Sequence, residues 1–222
     1  PGIQGMTSIP STGETRFVIS SYAMIHPLAR RAQVLCAPML LILGLGACAP
    51  ATNWRETLPP DAAGLRLLFP CKPDHASRSL PLTGVSGGPI TLHLLSCDAD
   101  GATWALSYAD MGTPERRVQA LSALQAALIR NVSPPGGPAP KIRAVPEQAP
   151  AIQGRTAHPQ EGARWIQGHR PDPNGGKPVP VTIGTWQFSR GLHVFQASVW
   201  QNPLLVDDPR LRTFIEGFTF AD

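Results

Sequence analysis

The 222-residue sequence has no apolar run long enough to cross a membrane as a helix. Its longest apolar run covers residues 34–46, whereas a spanning helix needs about 20 apolar residues. Pro38, Gly44 and Gly46 lie within this run and disfavour a long helix. The sequence therefore predicts no transmembrane helix. A run of this length is typical of either a buried core helix or a secretion signal.

Four motifs that mark common enzyme sites are also missing. The sequence has no Gly-x-Ser-x-Gly elbow, no P-loop, no dinucleotide-binding glycine pattern and no His-Glu-x-x-His helix. Residues 84–88 place a serine among glycines, but with the wrong spacing, and we interpret them as a turn. We interpret Asp98 with Asp100 as a turn, and Asp207 with Asp208 as a helix cap. The sequence thus predicts a protein that is not an enzyme and uses no cofactor.

Charge is sparse and evenly spread. Charged residues form 15% of the chain, with a net charge of +4, and the positive side chains form no basic stripe. Nucleic-acid-binding domains concentrate lysine and arginine on one face, so the sequence does not predict a nucleic-acid partner. Five histidines have no evident partner in the sequence, and we expect them to be solvated or in the core: His75, His93, His158, His169 and His193.

The residues around the apolar run have the order of a secretion signal. Arg30 and Arg31 precede the run, and small residues end it, as in a basic n-region, an apolar h-region and a cleavage site. The block Leu45-Gly46-Ala47-Cys48 resembles the lipobox of bacterial lipoproteins. This resemblance implies cleavage just before Cys48 and diacylglycerol on the Cys48 sulfur. It therefore implies a membrane partner, reached through the N-terminal lipid.

The lipobox resemblance also divides the chain. Met24 is a suitable start, so residues 24–47 form the signal, and residues 1–23 are a disordered upstream or extended n-region. Residues 48–61 form a lipidated tether, and residues 62–222 a single domain, long enough for a hydrophobic core. In such lipoproteins the residue after the cysteine often directs sorting. Ala49 is not aspartate, which implies a periplasm-facing protein of the outer membrane.

The four cysteines have distinct expected fates. Cys36 leaves with the signal, and Cys48 takes the lipid. Cys71 and Cys97 remain, and two cysteines in an oxidising periplasm favour a disulfide. The alternative is a metal site, because His93 and Cys97 are four residues apart and share a strand face. No CxxC or histidine pair completes such a site, so we predict a disulfide and no metal.

The domain has the pattern of an α+β fold. Alternating or apolar runs predict strands over residues 65–69, 90–97, 102–108, 164–169, 181–188 and 192–200. Thr113-Pro114 begins a helix over residues 114–131, with the apolar stripe Val118, Leu121, Leu124, Leu128 and Val132. A short helix follows Asp208-Pro209, and the proline-rich residues 133–150 predict a surface loop. We expect an antiparallel sheet of about six strands, packed against one long and one short helix.

Residues 62–222 resemble the PsbP-like α+β sandwich domains of bacterial envelopes. The resemblance lies in Phe69-Pro70-Cys71-Lys72-Pro73, in the helix from Pro114 and in the closing Phe214 to Phe218. It implies an accessory or assembly protein that acts through an envelope protein partner, and it supplies no catalytic residues. The alternative prediction is a small-ligand-binding module. Its apolar cleft would lie between sheet and helix, with Trp104, Trp165 or Trp186 in the wall.

Overall fold

The computed structural model describes residues 52–145, 162–172 and 174–221, all within one compact unit, Cys48–Asp222. Residues 1–23, the predicted signal over 24–47, Cys48 and the end of the predicted proline-rich loop lie outside the described residues. Among the helices in the described ranges, none combines the length and apolar character that a membrane crossing requires.

Within the described residues, ten strands form two antiparallel sheets. The larger sheet has seven strands in the order β3-β4-β5-β9-β8-β7-β6, and the smaller has three in the order β1-β2-β10. The strands of the larger sheet are β3 (Asp74–Leu80), β4 (Ile90–Ala99), β5 (Ala102–Asp110), β6 (Lys141–Ala144), β7 (Gly162–Arg170), β8 (Val179–Arg190) and β9 (His193–Gln201). Those of the smaller sheet are β1 (Arg55–Thr57), β2 (Leu65–Phe69) and β10 (Thr219–Phe220).

Two tight turns set the register in the middle of the larger sheet. Ala99 pairs with Ala102, and the two residues between them, Asp100 and Gly101, have φ values of 50° and 73°. Positive φ at both central residues matches the right-handed twist of the flanking strands, and aspartate followed by glycine adopts it readily. The turn from β8 to β9 also has two central residues, and the first of them, Gly191, has a φ of 58°.

The larger sheet is the middle of three layers. Helix α1 (Pro114–Asn131) covers one face. The smaller sheet and helix α2 (Pro209–Glu216) cover the other, where β5 contributes Trp104, Leu106 and Tyr108 to the principal core. The next residue along β5, Ala109, belongs instead to the cluster that α1 forms with the sheet. This alternation is the period of two that the sequence predicts for a strand buried on both faces.

Helix α1 begins where the sequence predicts. The Thr113 hydroxyl accepts a hydrogen bond from the Arg116 N–H, and Pro114 occupies the first turn. The predicted stripe is correct at Leu121, Leu124 and Leu128, but Val118 is 39% exposed. Val118 lies one turn before the part of the helix that packs on the sheet, where Ala120 and Ala123 complete the buried face. Small residues there allow the helix to approach the strands closely.

The α+β class and the antiparallel sheet agree with the prediction, whereas the number of strands is larger. The described residues form ten strands where the sequence predicts about six, because it does not predict β1, β3, β6 and β10. Strand β3 is polar and exposed along almost its whole length, so it lacks an alternating pattern. Strand β6 lies within the stretch predicted to be loop. Its four residues contain no proline, and it forms a sheet edge.

The start of the described chain is also more ordered than a tether. The Asn53 N–H donates a 2.7 Å hydrogen bond to the Pro70 carbonyl, and β1 pairs with β2 from Arg55↔Phe69 onward. Trp54 packs edge-on against Trp104, with ring centroids 5.8 Å apart. Residues 53–57, which the sequence places in the tether, are therefore part of the fold.

Candidate functional site

The two cysteines predicted to pair are bonded to each other. Cys71 follows β2, Cys97 lies in β4, and their Cα atoms are 6.1 Å apart. The bond therefore joins the smaller sheet to the larger one. It also occupies the sulfur that the alternative metal site with His93 would need. Among the residues that the structure describes, no group of three or more His, Cys, Asp or Glu side chains converges to hold a metal ion.

The three tryptophans proposed for a cleft wall are core residues. Trp104, Trp165 and Trp186 are between 1% and 4% exposed and belong to the principal core. Phe214 of α2 packs edge-on against two of them, with centroids 5.1 Å from Trp104 and 6.2 Å from Trp186. They lie on the face opposite α1, so the predicted cleft between sheet and helix does not have these walls.

Polar as well as apolar side chains fill the interface between α1 and the sheet. Leu121 and Leu124 pack on Val194. Beside them the buried Gln187 amide donates hydrogen bonds to the Leu121 carbonyl at 3.1 Å and to Gln196 Oε1 at 2.9 Å. A buried amide that satisfies a helix carbonyl fixes the position of the helix on the sheet. This interface is therefore a packed layer.

Aromatic rings form a continuous row across the opposite face of the sheet. His93 pairs with Tyr108, Tyr108 with Phe195, and Phe195 with Phe188, on four adjacent strands. Successive ring centroids are 4.8, 6.2 and 5.0 Å apart, and the planes are within 20° of parallel. The ring of His75 on β3 continues the row, 5.6 Å from His93. The row thus runs from the protein interior to an exposed edge.

A polar cavity lies beside the outer half of this row. Its volume is about 620 Å³. Asp110 pairs with His193 across adjacent strands, and both line the cavity together with His93. The remaining lining residues come from the loop before β2, the start of β4 and the first turn of α1: Asp61, Ala63, Pro89, Ile90, Thr91 and Arg116. The cavity therefore combines carboxylates, imidazoles and one guanidinium.

Local backbone geometry places these charges. Asp61 and Ala63 have φ values of 54° and 51°, which are uncommon for residues with a side chain. Non-glycine residues in this region carry backbone strain and are enriched at functional sites. The Asp110 carboxylate accepts a 2.9 Å hydrogen bond from the Gly112 N–H. Arg116 donates to the Gly88 carbonyl at 3.1 Å, which holds the guanidinium at the cavity rim.

Tyr108 stacks between His93, which lines the cavity, and Phe195 of the core. Its ring is fully buried, and its hydroxyl donates a 2.8 Å hydrogen bond to the Pro60 carbonyl. Burial, with a smaller contribution from the Asp61 carboxylate, raises the pKa of Tyr108 to about 12. The hydroxyl therefore stays protonated at neutral pH. Its hydrogen bond to Pro60 holds the loop that contains Asp61 against the sheet.

The sequence did not identify the cavity residues. The sequence predicts no partners for His75, His93 and His193, although a two-residue turn at Asp100-Gly101 already places His93 opposite Tyr108. The pairing of β5 with β9 brings His193 beside Asp110, and no local signal encodes it.

Comparison with known proteins gives no family for the chain. No model of a known protein family matches it, and no curated protein matches it significantly.

Proposed function

We propose that this chain is a membrane-anchored lipoprotein of the bacterial envelope, carrying lipid on Cys48 and facing the periplasm of an outer membrane. Its domain is a non-enzymatic accessory or assembly protein that acts through contacts with other proteins. The lipobox resemblance at residues 45–48 and the secretion-signal pattern before it support the anchor. The PsbP-like resemblance of residues 62–222 supports the accessory role.

The observation that carries this proposal is the fixed position of Asn53. Only residues 49–52 separate it from Cys48, and the Asn53 N–H is hydrogen-bonded to Pro70 at 2.7 Å. Five extended residues span at most about 18 Å. A lipid on Cys48 would thus hold the domain close to the bilayer surface, without a long flexible linker between them. Such a short connection suits a protein that meets its partners at the membrane.

The Cys71–Cys97 disulfide supports a periplasmic location. It joins the two sheets, so it belongs to the architecture of the domain. Structural disulfides of this kind persist in oxidising compartments and are rare in the cytosol.

Photo-crosslinking in intact cells tests the protein contacts. The full chain would carry a photoreactive residue in place of Ser79 on the exposed strand β3, or in place of the exposed Ser122 on α1 as a matched control. We expect a protein adduct from position 79 in the envelope fraction, and its loss in the Cys48→Ala variant. If neither position gives an adduct, the proposal of a contact-based function fails.

A second function, small-ligand binding, is favoured by one observation. The 620 Å³ cavity contains Asp110 and His193 as direct cross-strand neighbours, and ligand sites combine a concave shape with a few convergent polar groups. Thermal shift measurements with glutamate, glucose and inorganic phosphate as probes test it. A probe that raises the Tm of the wild type but not of the His193→Gln variant supports this function. No shift with any probe counts against it.

A further inference from the structure

Strand β3 leaves one edge of the larger sheet open. It pairs with β4 along its whole length, from Asp74↔Ser96 to Leu80↔Ile90. In the described part of the chain, no strand pairs with its other side. Six of its seven residues are exposed, and the last, Leu80, is half-buried. Neither α1 nor the smaller sheet therefore covers β3, and its outer backbone groups are accessible.

Several devices that protect a sheet edge are missing from β3. Protected edges are short, interrupted by bulges or proline, or carry charged side chains, above all lysine. The charges of β3 are one aspartate and one arginine, of opposite sign. The sequence of β3, Asp-His-Ala-Ser-Arg-Ser-Leu, has neither proline nor lysine, and its pairing with β4 continues without a bulge. The opposite edge strand, β6, has only four residues. An open, regular edge of seven residues is a template for another strand.

We propose that β3 pairs antiparallel with β3 of a second copy of this chain, about a two-fold axis at Ser77, so that the two seven-stranded sheets become one. This proposal rests on the contact-based function above and names the partner. Closed two-fold pairing is the commonest symmetry of soluble oligomers. A centre at Ser77 uses all seven residues of β3 and leaves Pro73, which has no N–H, outside the pairing.

The charges of β3 complement each other in this register. Asp74 lies opposite Leu80 of the second copy, and Ala76 opposite its Arg78. Asp74 and Arg78 share a face, so each Asp74 is a diagonal neighbour of Arg78 of the second copy. The symmetry gives two such pairs, and no like charges are directly opposed.

The same register covers an exposed leucine. Leu94 on β4 is 38% exposed, because its neighbour on β3 is the small Ala76. Arg78 of the second copy would lie directly beyond Ala76, and an arginine stem can cover apolar surface while its guanidinium remains in water. The guanidinium is then free to meet Asp74. One side chain thus accounts for both the apolar and the charged features of this edge.

Cysteine crosslinking tests the proposal in the full chain, in the envelope of a Gram-negative host under mild oxidation. In the Ser77→Cys variant the two introduced cysteines face each other across the axis, within reach of a disulfide. In the matched Ala76→Cys control they are one residue from the axis on the other face, too far apart to bond. On a non-reducing gel we expect an adduct of twice the chain mass from position 77 only, and its loss when a reductant is added.

Charge exchange provides a second, independent readout. In the Ser77→Cys background, Asp74→Arg or Arg78→Asp alone should lower the crosslinked fraction about two- to fivefold, and the double exchange should restore it. A restoring double exchange cannot result from misfolding of the single variants. Equal crosslinking in all four proteins would overturn the proposed register.

Other outcomes separate this inference from the proposed function. Crosslinking at position 76 instead of 77, or no adduct at either position, overturns self-pairing about Ser77. An adduct of a different mass would mean that β3 meets another protein, which overturns self-pairing while the contact-based function stands. The Cys71–Cys97 bond consumes both native thiols of the described domain, so these cysteines do not compete in the assay.

Discussion

Trp54 packs edge-on against Trp104, with planes inclined by 78° and centroids 5.8 Å apart. This contact joins the first described residues of the chain to the core between the two sheets. Trp104 in turn lies against Phe214 of α2. The segment next to the expected lipid attachment site is therefore held by the same aromatic cluster that holds the C-terminal helix.

Trp54→Ala should destabilise the domain. Removing a partly buried indole from an aromatic pair is expected to cost about 1–3 kcal/mol. Leu58→Ala, in the same segment but with a side chain 62% exposed, should change the free energy of unfolding little. Urea denaturation of both variants measures this. Equal, small effects would mean that the N-terminal segment is not docked.

Leu124→Ala should lower the Tm substantially, whereas Gln125→Ala should barely change it. Leu124 is 4% exposed between α1 and the sheet, and leucine-to-alanine changes in a packed core cost about 2–5 kcal/mol. Gln125 lies off the buried face of the helix. Calorimetry of the two variants compares them directly. A Gln125 variant as unstable as the Leu124 variant would contradict the observed helix orientation.

Replacing Cys71 and Cys97 together by serine should lower the free energy of unfolding by about 3 kcal/mol. The bond closes a loop with a sequence separation of 26 and joins the two sheets, so its loss frees the unfolded chain. Chemical denaturation of the double variant and of the oxidised wild type measures this difference in the free energy of unfolding. Titration of the wild type should find no free thiol at these positions, and two free thiols would refute the pairing.

Tyr108 should titrate at unusually high pH. Its folded-state pKa is raised from the usual 10.0 of tyrosine to about 12, so the folded state binds the proton more tightly than the unfolded one. This stabilising contribution is fully present below pH about 10 and is lost as pH rises towards 12. The only other tyrosine, Tyr22, precedes Cys48. Tyrosinate absorbance of residues 48–222 therefore reports Tyr108 alone.

The Tyr108→Phe variant is the control for this titration. It should show no tyrosinate absorbance, and its stability should decline less between pH 10 and 12 than that of the wild type, because the titrating hydroxyl is gone. An ordinary midpoint near 10 in the wild type would show that the hydroxyl is not buried against Pro60.

Local signals in the sequence identify the centre of the fold. Asp100-Gly101 and Gly191 mark the two hairpins, and Thr113 and Asp208 mark the helix starts that the structure contains. These features depend on a few neighbouring residues, so they can be recognised without the rest of the chain.

The parts that were missed depend on tertiary context. Strand β3 forms because β4 offers it an edge, although its own side chains are polar. Strand β6 forms on β7 for the same reason. The cavity depends on the pairing of Tyr108 with Phe195, residues far apart in sequence that no local pattern connects. Local sequence patterns therefore do not predict the order of strands in the sheet, and the candidate site depends on that order.

We propose above all that lipid on Cys48 anchors this domain directly at a membrane. Mass spectrometry of the N-terminal peptide, from the full chain expressed in a Gram-negative host and extracted from its envelope, tests it most directly. We predict a peptide that begins at Cys48 and carries diacylglycerol on sulfur, and unprocessed precursor from the Cys48→Ala variant. A mature N-terminus elsewhere, or an unmodified Cys48, would contradict the proposed lipid anchor.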